Sequence, residues 1–318
     1  MAGLKYFQGV KFTRRHIYIE QTGAKIAWDM SLLRSAWSVL KFNLYIAFMR
    51  ARQKHGALQK TIAFHPQKSG PWYNSWLAAR LLGMKTSSEI ASADYVFAFD
   101  DSTHSEINPL WPPAAINGKA ADISKRYVGQ IFKQVFGYDL TVDPLTYRGE
   151  MAEKSDFNGL HDGRVARGPL ALEDIKEDCI YQKLIDTRAR GPQTEDLRAV
   201  CIMGEIAVVF HKFKALEKRF GTTYAQVDVI EADSCFSAQE QSDILAFCEA
   251  MDVDFGALDI LRDIHDGRIY IVDVNKTGMP VLSLSLKEQV KAFEFISASF
   301  KRGLSAIDHA ALSEVKSG

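Results

Sequence analysis

The chain has 318 residues, which is too many for one small domain and suits two or three packed units of roughly 100–200 residues each. Hydrophobic residues make up 47% and charged residues 25%, a globular composition that excludes a disordered protein. Its 39 lysines and arginines balance 39 acidic residues, so the chain lacks the broad positive field that nucleic-acid binding needs, and we expect no nucleic-acid partner.

The N-terminal region and the cysteines indicate a cytoplasmic protein. Residues 1–16 are not followed by an apolar segment with a small-residue cleavage site, which predicts that there is no signal peptide. The four cysteines form no CxxC pair and match no zinc spacing: Cys179, Cys201, Cys235 and Cys248. This pattern is typical of buried, reduced cysteines in the cytosol.

Residues 31–49 predict a helix with one apolar face. The apolar side chains recur at intervals of three and four residues: Leu33, Trp37, Leu40, Leu44 and Phe48. Arg34 and Lys41 interrupt the segment, which makes it a poor membrane-spanning helix. We expect the apolar face to pack on the chain's own domain. Contact of residues 31–54 with a membrane surface is the less favoured alternative, because basic residues lie among and after the apolar ones.

The next segments predict a parallel α/β unit. Residues 61–64 and 94–99 read as strands, and a helix over about residues 72–82 lies between them, with Gly83 as its stop. Loops after such strands commonly hold ligands, so residues 68–74 and 100–104 are candidates for selecting a substrate. Three prolines then mark a boundary near residue 115: Pro109, Pro112 and Pro113.

The remaining elements alternate between helices and strands. A helix is predicted over residues 122–136, then a strand-rich region over residues 140–155. Further strands are expected at residues 179–185, 197–203 and 206–211. Two capping boxes, in which a serine is followed three residues later by a glutamate, open the last two helices: Ser237 with Glu240, and Ser285 with Glu288.

Two strands around His265-Asp266-Gly267 form the most informative segment. A three-residue loop ending in a left-handed Gly267 would pair Ile264 with Arg268, and counting back pairs Asp259 with Asp273. Opposed residues share a face, and Asn275 lies on it too. Two carboxylates this close repel each other unless a cation lies between them, and hard oxygen ligands suit Mg²⁺. The alternative is an exposed hairpin whose acidic side chains face solvent.

Several other sequence segments are weak evidence of function when each is taken alone, but their order along the chain is informative. Lys154 ends a predicted strand before a Gly-containing loop, and such a lysine can meet a phosphate. The loop reads Asn158-Gly159-Leu-His-Asp-Gly163. After it come Gln182-Lys183-Leu184-Ile185, Asp196-Leu-Arg198, and finally Asp273-Val-Asn275-Lys-Thr-Gly-Met-Pro. Taken in this order, about half of the chain, from residue 122 to residue 280, resembles the ATP-grasp superfamily, most closely its ribosomal-protein glutamate ligase branch.

The resemblance implies a fold and a site. The fold would be α+β: an N-terminal α/β domain over residues 1–115, an ATP-grasp core of two α+β subdomains over residues 116–303, and a C-terminal tail over residues 304–318. ATP would lie between the two subdomains. Its implied contacts are Lys125, Lys154, Asn158, Gly159, Gln182, Lys183, Leu184, Ile185 and Asp196. Lys154 and Arg198 would act in catalysis. Mg²⁺ would be held by Asp259, Asp273 and Asn275.

The sequence also departs from the family pattern. The phosphate loop is not the usual Gly/Ser-rich run, and Asp273 is shorter than the common glutamate. Ala257 stands where some relatives have an arginine, so Arg198 or Arg262 would supply that charge. His211, Lys212 and Lys214 lie where relatives place substrate-facing basic residues, which suggests binding of an anionic substrate; simple surface charge is the alternative.

The implied activity is an ATP- and Mg²⁺-dependent carboxylate–amine or carboxylate–thiol ligase that forms an acyl phosphate and releases ADP and phosphate. Its partners would be a small-molecule or peptide carboxylate and an amine acceptor. Two alternatives stay open, namely an ATP-grasp phosphotransferase acting on a hydroxyl, such as that of a sugar, and a nucleotide-binding protein without turnover. Neither the substrates nor the oligomeric state can be read from the sequence.

Overall fold

The computed structural model describes residues 10–14, 16–19, 25–52, 58–160, 162–188, 192–221 and 224–317. The first three strands, β1 (Val10–Phe12), β2 (His16–Ile19) and β3 (Lys25–Ala27), form an antiparallel sheet in sequence order. Helix α1 (Met30–Arg52) follows, and the Asp29 carboxylate accepts the Leu32 N–H at 2.9 Å at its start. This contact satisfies one of the amides that a helix leaves unpaired at its first turn.

The predicted N-terminal α/β unit is present. It contains β4 (Thr61–Pro66), α2 (Asn74–Leu81), β5 (Lys85–Ser87) and β6 (Tyr95–Phe99). The strands are parallel in the order β5-β4-β6. All five residues of β6 are buried, as expected for a parallel strand that is covered on both faces.

Helix α1 packs in the opposite way from the prediction. Phe42 and Ile46 lie in the hydrophobic core, and Ser38 is buried beside them. The predicted core face is exposed instead: Leu33, Trp37, Leu40, Leu44 and Phe48. The periodicity therefore identified an apolar stripe correctly but assigned it to the wrong side, because a second apolar pair, Phe42 and Ile46, about half a turn away, fits the core. In the described part of the chain, no helix is both long and apolar enough to cross a membrane.

A small antiparallel sheet follows helix α3 (Lys125–Phe136) in the chain. Its strands are β7 (Glu150–Ser155), β8 (Arg164–Arg167) and β9 (Cys179–Lys183), in the order β8-β7-β9. Helix α3 begins at the Ser124 cap and ends at Gly137, whose φ of 76° is left-handed. The expected strand-rich region 140–155 is strand only from Glu150. Residues 140–149 instead form an irregular segment that bonds to β9 at its start, where the Lys183 N–H donates to Leu140.

A five-stranded antiparallel sheet completes the molecule. It contains β10 (Gln193–Ile202), β11 (Glu205–Ala215), β12 (Gln226–Ile230), β13 (Phe255–Arg262) and β14 (Ile269–Asn275), in the order β12-β11-β10-β13-β14. Helices α4 (Ala238–Ala250) and α5 (Leu286–Ser317) accompany it. Both predicted capping boxes are confirmed, since Glu240 and Glu288 each accept the N–H of their serine, at 2.8 and 2.9 Å.

Two apolar cores lie on either side of the large sheet. On one side, residues of β10, β13 and β14 pack with α3 and α4. On the other, residues of β10, β11 and β13 pack with α5, α1 and the N-terminal parallel sheet. The α+β class predicted from the sequence is therefore confirmed. The domain limits at 115 and 303 stay predictions; helix α5 runs through residue 303 without a break, so the predicted tail is the second half of this helix as far as Ser317.

Candidate active site

A cavity of about 400 Å³ lies between the β8-β7-β9 sheet and the five-stranded sheet. Strands β7 and β9 contribute one wall, and β10, β11, β13 and β14 contribute the other. The cavity is lined by every residue that was predicted from the sequence to bind the nucleotide, to bind the metal or to act in catalysis: Lys125, Lys154, Asn158, Gly159, Gln182, Lys183, Leu184, Ile185, Asp196, Arg198, Asp259, Asp273 and Asn275. Residues separated by up to 150 positions in the sequence thus meet in one space.

The β13–β14 hairpin brings Asp259 opposite Asp273, as predicted, but its loop length and its strand register both differ from the prediction. The Asp263 N–H donates to Arg268 and the Gly267 N–H donates to Asp263, so the loop has four residues and Ile264 is not paired with Arg268. The register then shifts between Asp259 and Ile260.

Val272 is the extra residue that this shift leaves on β14, which is a β-bulge. It offsets the longer loop, so that Asp259 still pairs with Asp273. The bulge also changes which side chains of β14 face the cavity. Ile271 does not share the cavity face with Asp273; it is buried in the apolar core beside Ile260.

Asp259 is held by two cations from the neighbouring strands. Arg198 on β10 donates from Nε and Nη2 to its two oxygens, both at 3.0 Å, and Lys212 on β11 donates to Oδ1 at 3.1 Å. Burial by itself would raise the pKa of Asp259, but Arg198 and Lys212 outweigh it and hold the pKa well below the usual range. Of the two arginines expected to supply the charge that is missing at Ala257, Arg198 is the one that contacts Asp259. Arg262 pairs with Glu240 and does not line the cavity.

Three oxygen atoms near the hairpin base fit a divalent cation. Oδ1 of Asp273 and Oδ1 of Asn158 are buried and accept no hydrogen bond, and burial raises the pKa of Asp273. Oδ1 of Asn275 accepts the Thr277 N–H at 2.9 Å and lies 3.4 Å from the Thr277 hydroxyl, which also donates to Asp101. Within the described residues, no three His, Cys, Asp or Glu side chains are grouped to hold a metal, so a cation here would depend on amide oxygens beside one open carboxylate.

Lys154 is a cation of the cavity whose pKa is lowered by burial. Its Nζ donates to Gln182 Oε1 at 3.0 Å. Burial lowers its pKa to about 8, and the nearby charge of Lys125 adds to this effect, although Asp273 opposes it. Gln182 Nε2 is buried and makes no hydrogen bond. A partly neutral lysine beside an unused amide donor is suited to an anion, because an arriving negative charge would restore full protonation.

Lys125 joins the start of α3 to the loop after β7. Its Nζ donates to the Phe157 carbonyl at 2.9 Å and lies 3.7 Å from Asp273 Oδ1. Asn158 Nδ2 in the same loop donates to the Val274 carbonyl at 2.8 Å. The predicted phosphate loop is therefore tied at residues 157–158 to the large sheet and to the N-terminus of α3, and a helix N-terminus favours negative charge beside it. His161, in the middle of this loop, lies outside the described residues.

Of the three basic residues predicted to bind an anionic substrate, two line the cavity and one does not. Lys212 and Lys214 line the cavity, and each lies 2.9 Å from an oxygen of Asp196. Both ammonium groups also lie 5.1 Å from the centre of the Tyr224 ring. His211, which was predicted beside them, faces Glu195 at 2.8 Å and does not line the cavity. This follows from strand alternation, because positions 212 and 214 share a face and position 211 does not.

Several further residues line the cavity that the sequence analysis did not assign to nucleotide, metal or catalysis. They come from loops and from strand ends: Asp101, Thr187, Thr194, Arg219, Phe220, Tyr224, Thr277 and Met279. Asp101 accepts from the Thr277 hydroxyl, so the predicted ligand-selecting segment 100–104 reaches the cavity through one residue. Segment 68–74 does not line it; Asn74 instead donates its N–H to Gly278 at 2.9 Å. The Thr277-Gly-Met279 segment was available as a signal, because it follows Asn275 directly.

No protein-family model and no curated protein matches the chain. The solved structures that it is similar to include ATP-grasp ligases. Against the ATP-grasp ligase PsnB in complex with a phosphomimetic variant of its minimal precursor, Mg and ADP, the identity is 14%, the match covers 57% of this chain and 62% of that one, and the TM-score is 0.35.

Two further solved structures match the chain. For D-alanine–D-alanine ligase from Bacillus anthracis complexed with ATP, the identity is 11%, the coverage is 79% of this chain and 98% of that one, and the TM-score is 0.47. For L-amino acid ligase from Bacillus licheniformis the identity is 14%, the coverage is 52% and 43%, and the TM-score is 0.34. The match spans less than two thirds of the length of PsnB and of the L-amino acid ligase.

Proposed function

We propose that the protein is an ATP- and Mg²⁺-dependent ligase that activates a carboxylate as an acyl phosphate and transfers it to an amine or a thiol. The observation that carries the proposal is the single cavity in which lysines meet a buried carboxylate oxygen without a hydrogen bond. Lys125 and Lys154 face Asp273 there, and Asn158 and Asn275 add amide oxygens. Anion-binding and cation-binding groups side by side are what a metal–triphosphate pair requires.

The residues divide into subsites. Lys154, Lys125 and the loop at Asn158 and Gly159 would bind the phosphates. The segment from Gln182 to Ile185 would hold the adenine. It lies at the C-terminal end of β9, away from the phosphate loop that follows β7. Asp273 and Asn275 would hold Mg²⁺, whose chemistry is to neutralise charge on the phosphate oxygens. Asp259 would bind Mg²⁺ only through oxygens that already accept hydrogen bonds from Arg198 and Lys212.

The chemistry needs no protein nucleophile. A substrate carboxylate oxygen attacks the γ-phosphorus, the bond to the β–γ bridging oxygen breaks, and ADP leaves. An amine then attacks the acyl carbon, phosphate departs, and the amine loses a proton. Arg198, Lys212 and Lys214 would stabilise the charge that develops on oxygen, since fixed cations in a closed space act strongly on a transition state.

Calorimetry with a non-hydrolysable ATP analogue, with and without Mg²⁺, tests the binding half of the proposal. We expect binding that strengthens with Mg²⁺. A pool of amino acids and peptides supplied with ATP, Mg²⁺ and hydroxylamine tests the chemistry, because an acyl phosphate is trapped as a hydroxamate with release of ADP and phosphate. A phosphotransferase would give ADP and a stable phosphoester instead. Release of AMP and pyrophosphate would contradict the acyl phosphate.

A further inference from the structure

Helix α1 carries an apolar stripe on its outer side. The stripe comprises Met30, Leu33, Trp37, Leu40, Leu44 and Phe48, and each side chain is between 47% and 64% exposed. With a rise of 1.5 Å per residue the stripe is roughly 27 Å long. Contiguous apolar patches of this kind are rare on the free surface of monomers and mark sites of interaction.

The inner side of α1 fixes the direction in which the stripe faces. Phe42 and Ile46 are buried in the core, and the Phe42 ring packs against Phe293 of α5. The Gln289 side chain donates to the Ser38 hydroxyl at 2.7 Å, also on this side. Asn43 donates to the Pro71 carbonyl at 3.0 Å. The helix is thus anchored by its inner side, and the stripe is presented by a rigid element.

The charges of α1 are all positive. The helix contains Arg34, Lys41, Arg50 and Arg52 and no acidic residue. At about 100° per residue, three of these, Arg34, Lys41 and Arg52, project within about 20° of one another along one edge of the stripe. The surrounding sequence is basic as well: residues 1–54 contain ten lysines and arginines against two acidic residues, a net charge of +8 in a chain whose total is zero.

We propose that α1 docks the protein on the surface of an anionic lipid bilayer. The helix would lie flat, with the stripe in the boundary between headgroups and acyl chains and its basic edge among the headgroups, which is the arrangement of interfacial amphipathic helices. Trp37, near the middle of the stripe, is a residue type that favours this depth. The positive edge matches the negative potential of anionic lipid.

A second copy of the chain is the weaker occupant. Packing two α1 stripes together would bring two basic edges into one interface, and neither helix offers a carboxylate to pair with them. The surface is also separate from the cavity, because none of the cavity-lining residues belongs to α1. Docking and ligand binding can therefore be disrupted independently by substitution.

Vesicle co-sedimentation of the full chain tests the proposal. We expect binding to phosphatidylcholine vesicles that contain about 30% phosphatidylserine, and much weaker binding to phosphatidylcholine alone. The double variant W37E/L44E should reduce binding at least about tenfold, because it places charge in the apolar boundary. Both side chains are more than half exposed, so circular dichroism should show an unchanged fold.

Matched variants separate the stripe from general effects. Leu172→Glu replaces another strongly exposed leucine outside α1 and should leave vesicle binding unchanged. The pair R34Q/K41Q should weaken binding to anionic vesicles, whereas K287Q/K301Q, which removes two exposed lysines of α5, should not. The proposal is overturned if the wild type does not sediment with anionic vesicles, if W37E/L44E binds as well as the wild type, or if light scattering shows a wild-type dimer that W37E/L44E makes monomeric.

Discussion

Lys154 is the residue whose charge depends most on what the cavity contains. We predict that Lys154→Ala weakens binding of an ATP analogue at least tenfold, about 1.4 kcal/mol, because it removes a charge-assisted contact to phosphate. Lys183→Ala is the matched control: its Nζ lies 3.1 Å from the Tyr270 hydroxyl and turns towards the hairpin, so its loss should matter less. Equal affinities of wild type and Lys154→Ala in calorimetry would place the phosphates elsewhere.

The lowered pKa of Lys154 makes a second, sharper prediction. With a pKa of about 8, the free lysine is largely neutral at pH 8.5, and a bound phosphate raises the pKa, so binding should take up a proton and weaken as pH rises above 8. The uptake is measured by calorimetry in buffers with different heats of ionisation. Lys154→Arg stays protonated throughout and should abolish the uptake at pH 8.5. Uptake that persists in this variant would contradict the assignment.

The two aspartates of the hairpin should respond oppositely to the same change. Burial raises the pKa of Asp273, so its ionised form lowers the stability of the fold at any pH above that pKa. At pH 7, Asp273→Asn should therefore unfold at a temperature no lower than that of the wild type. Asp259→Asn should destabilise by about 3 kcal/mol, because it leaves Arg198 and buried Lys212 under-compensated. Thermal unfolding measures both. Analogue binding by Asp273→Asn should lose its dependence on Mg²⁺, and retained dependence would exclude Asp273 as a ligand.

The sequence could predict many of the residues that line the cavity, but not the contacts between strands that are distant in the chain. Asp259, Asp273 and Asn275 are identifiable because oxygen ligands at alternating strand positions leave a clear pattern. The bidentate contact of Arg198 with Asp259 depends on the pairing of β10 with β13, across about 60 residues of chain, and no local pattern encodes such a register. Phe220 and Tyr224 were missed for the same reason, since residues outside the strands reach a site through tertiary packing.

At the scale of elements, Asn117 fastens the chain before α3 to the start of β13. Its side chain accepts the N–H groups of Asp254 and Phe255 at 2.8 and 2.9 Å and donates to the Phe255 carbonyl at 2.8 Å. Asn117 also has a φ of 57°, in the left-handed region. Asn117→Gly should lose the hydrogen bonds at a cost of about 3 kcal/mol and keep the backbone relaxed.

Asn117→Ala should cost about 1 kcal/mol more than Asn117→Gly, because alanine adds strain at a positive φ. Urea unfolding measures both variants, and equal stability of the alanine variant and the wild type would show that the contacts contribute nothing.

Asn117 gave no signal in the sequence. Elements with strong local signals were predicted well: α3, both capping boxes and the parallel unit. Strand β8 was missed, because Arg164–Arg167 is short and polar and pairs only with β7.

At the scale of the whole molecule, one apolar core joins parts that the sequence separates. Leu304 is 1% exposed and packs in the same core as Phe64 and Phe97 of the N-terminal sheet. We predict that Leu304→Ala costs about 2–4 kcal/mol and lowers the unfolding midpoint of the whole chain in one transition. Ser305→Ala, at the exposed neighbouring position, is the control. Separate transitions by fluorescence and circular dichroism would show that the predicted boundary at 115 divides independent units.

The bulge at Val272 reverses the parity of strand β14. Odd-numbered Asp273 and Asn275 face the cavity, whereas odd-numbered Ile271 is buried in the apolar core. The alternation of inward and outward side chains along β14 therefore has two phases, which meet at Val272. Without that residue the phases would merge, and either the polar pair would turn into the core or Ile271 would turn into the cavity. Deletion of position 272 should thus be more damaging than replacement of the buried Val272 by a similar apolar residue, because only the deletion changes the number of residues between the two phases.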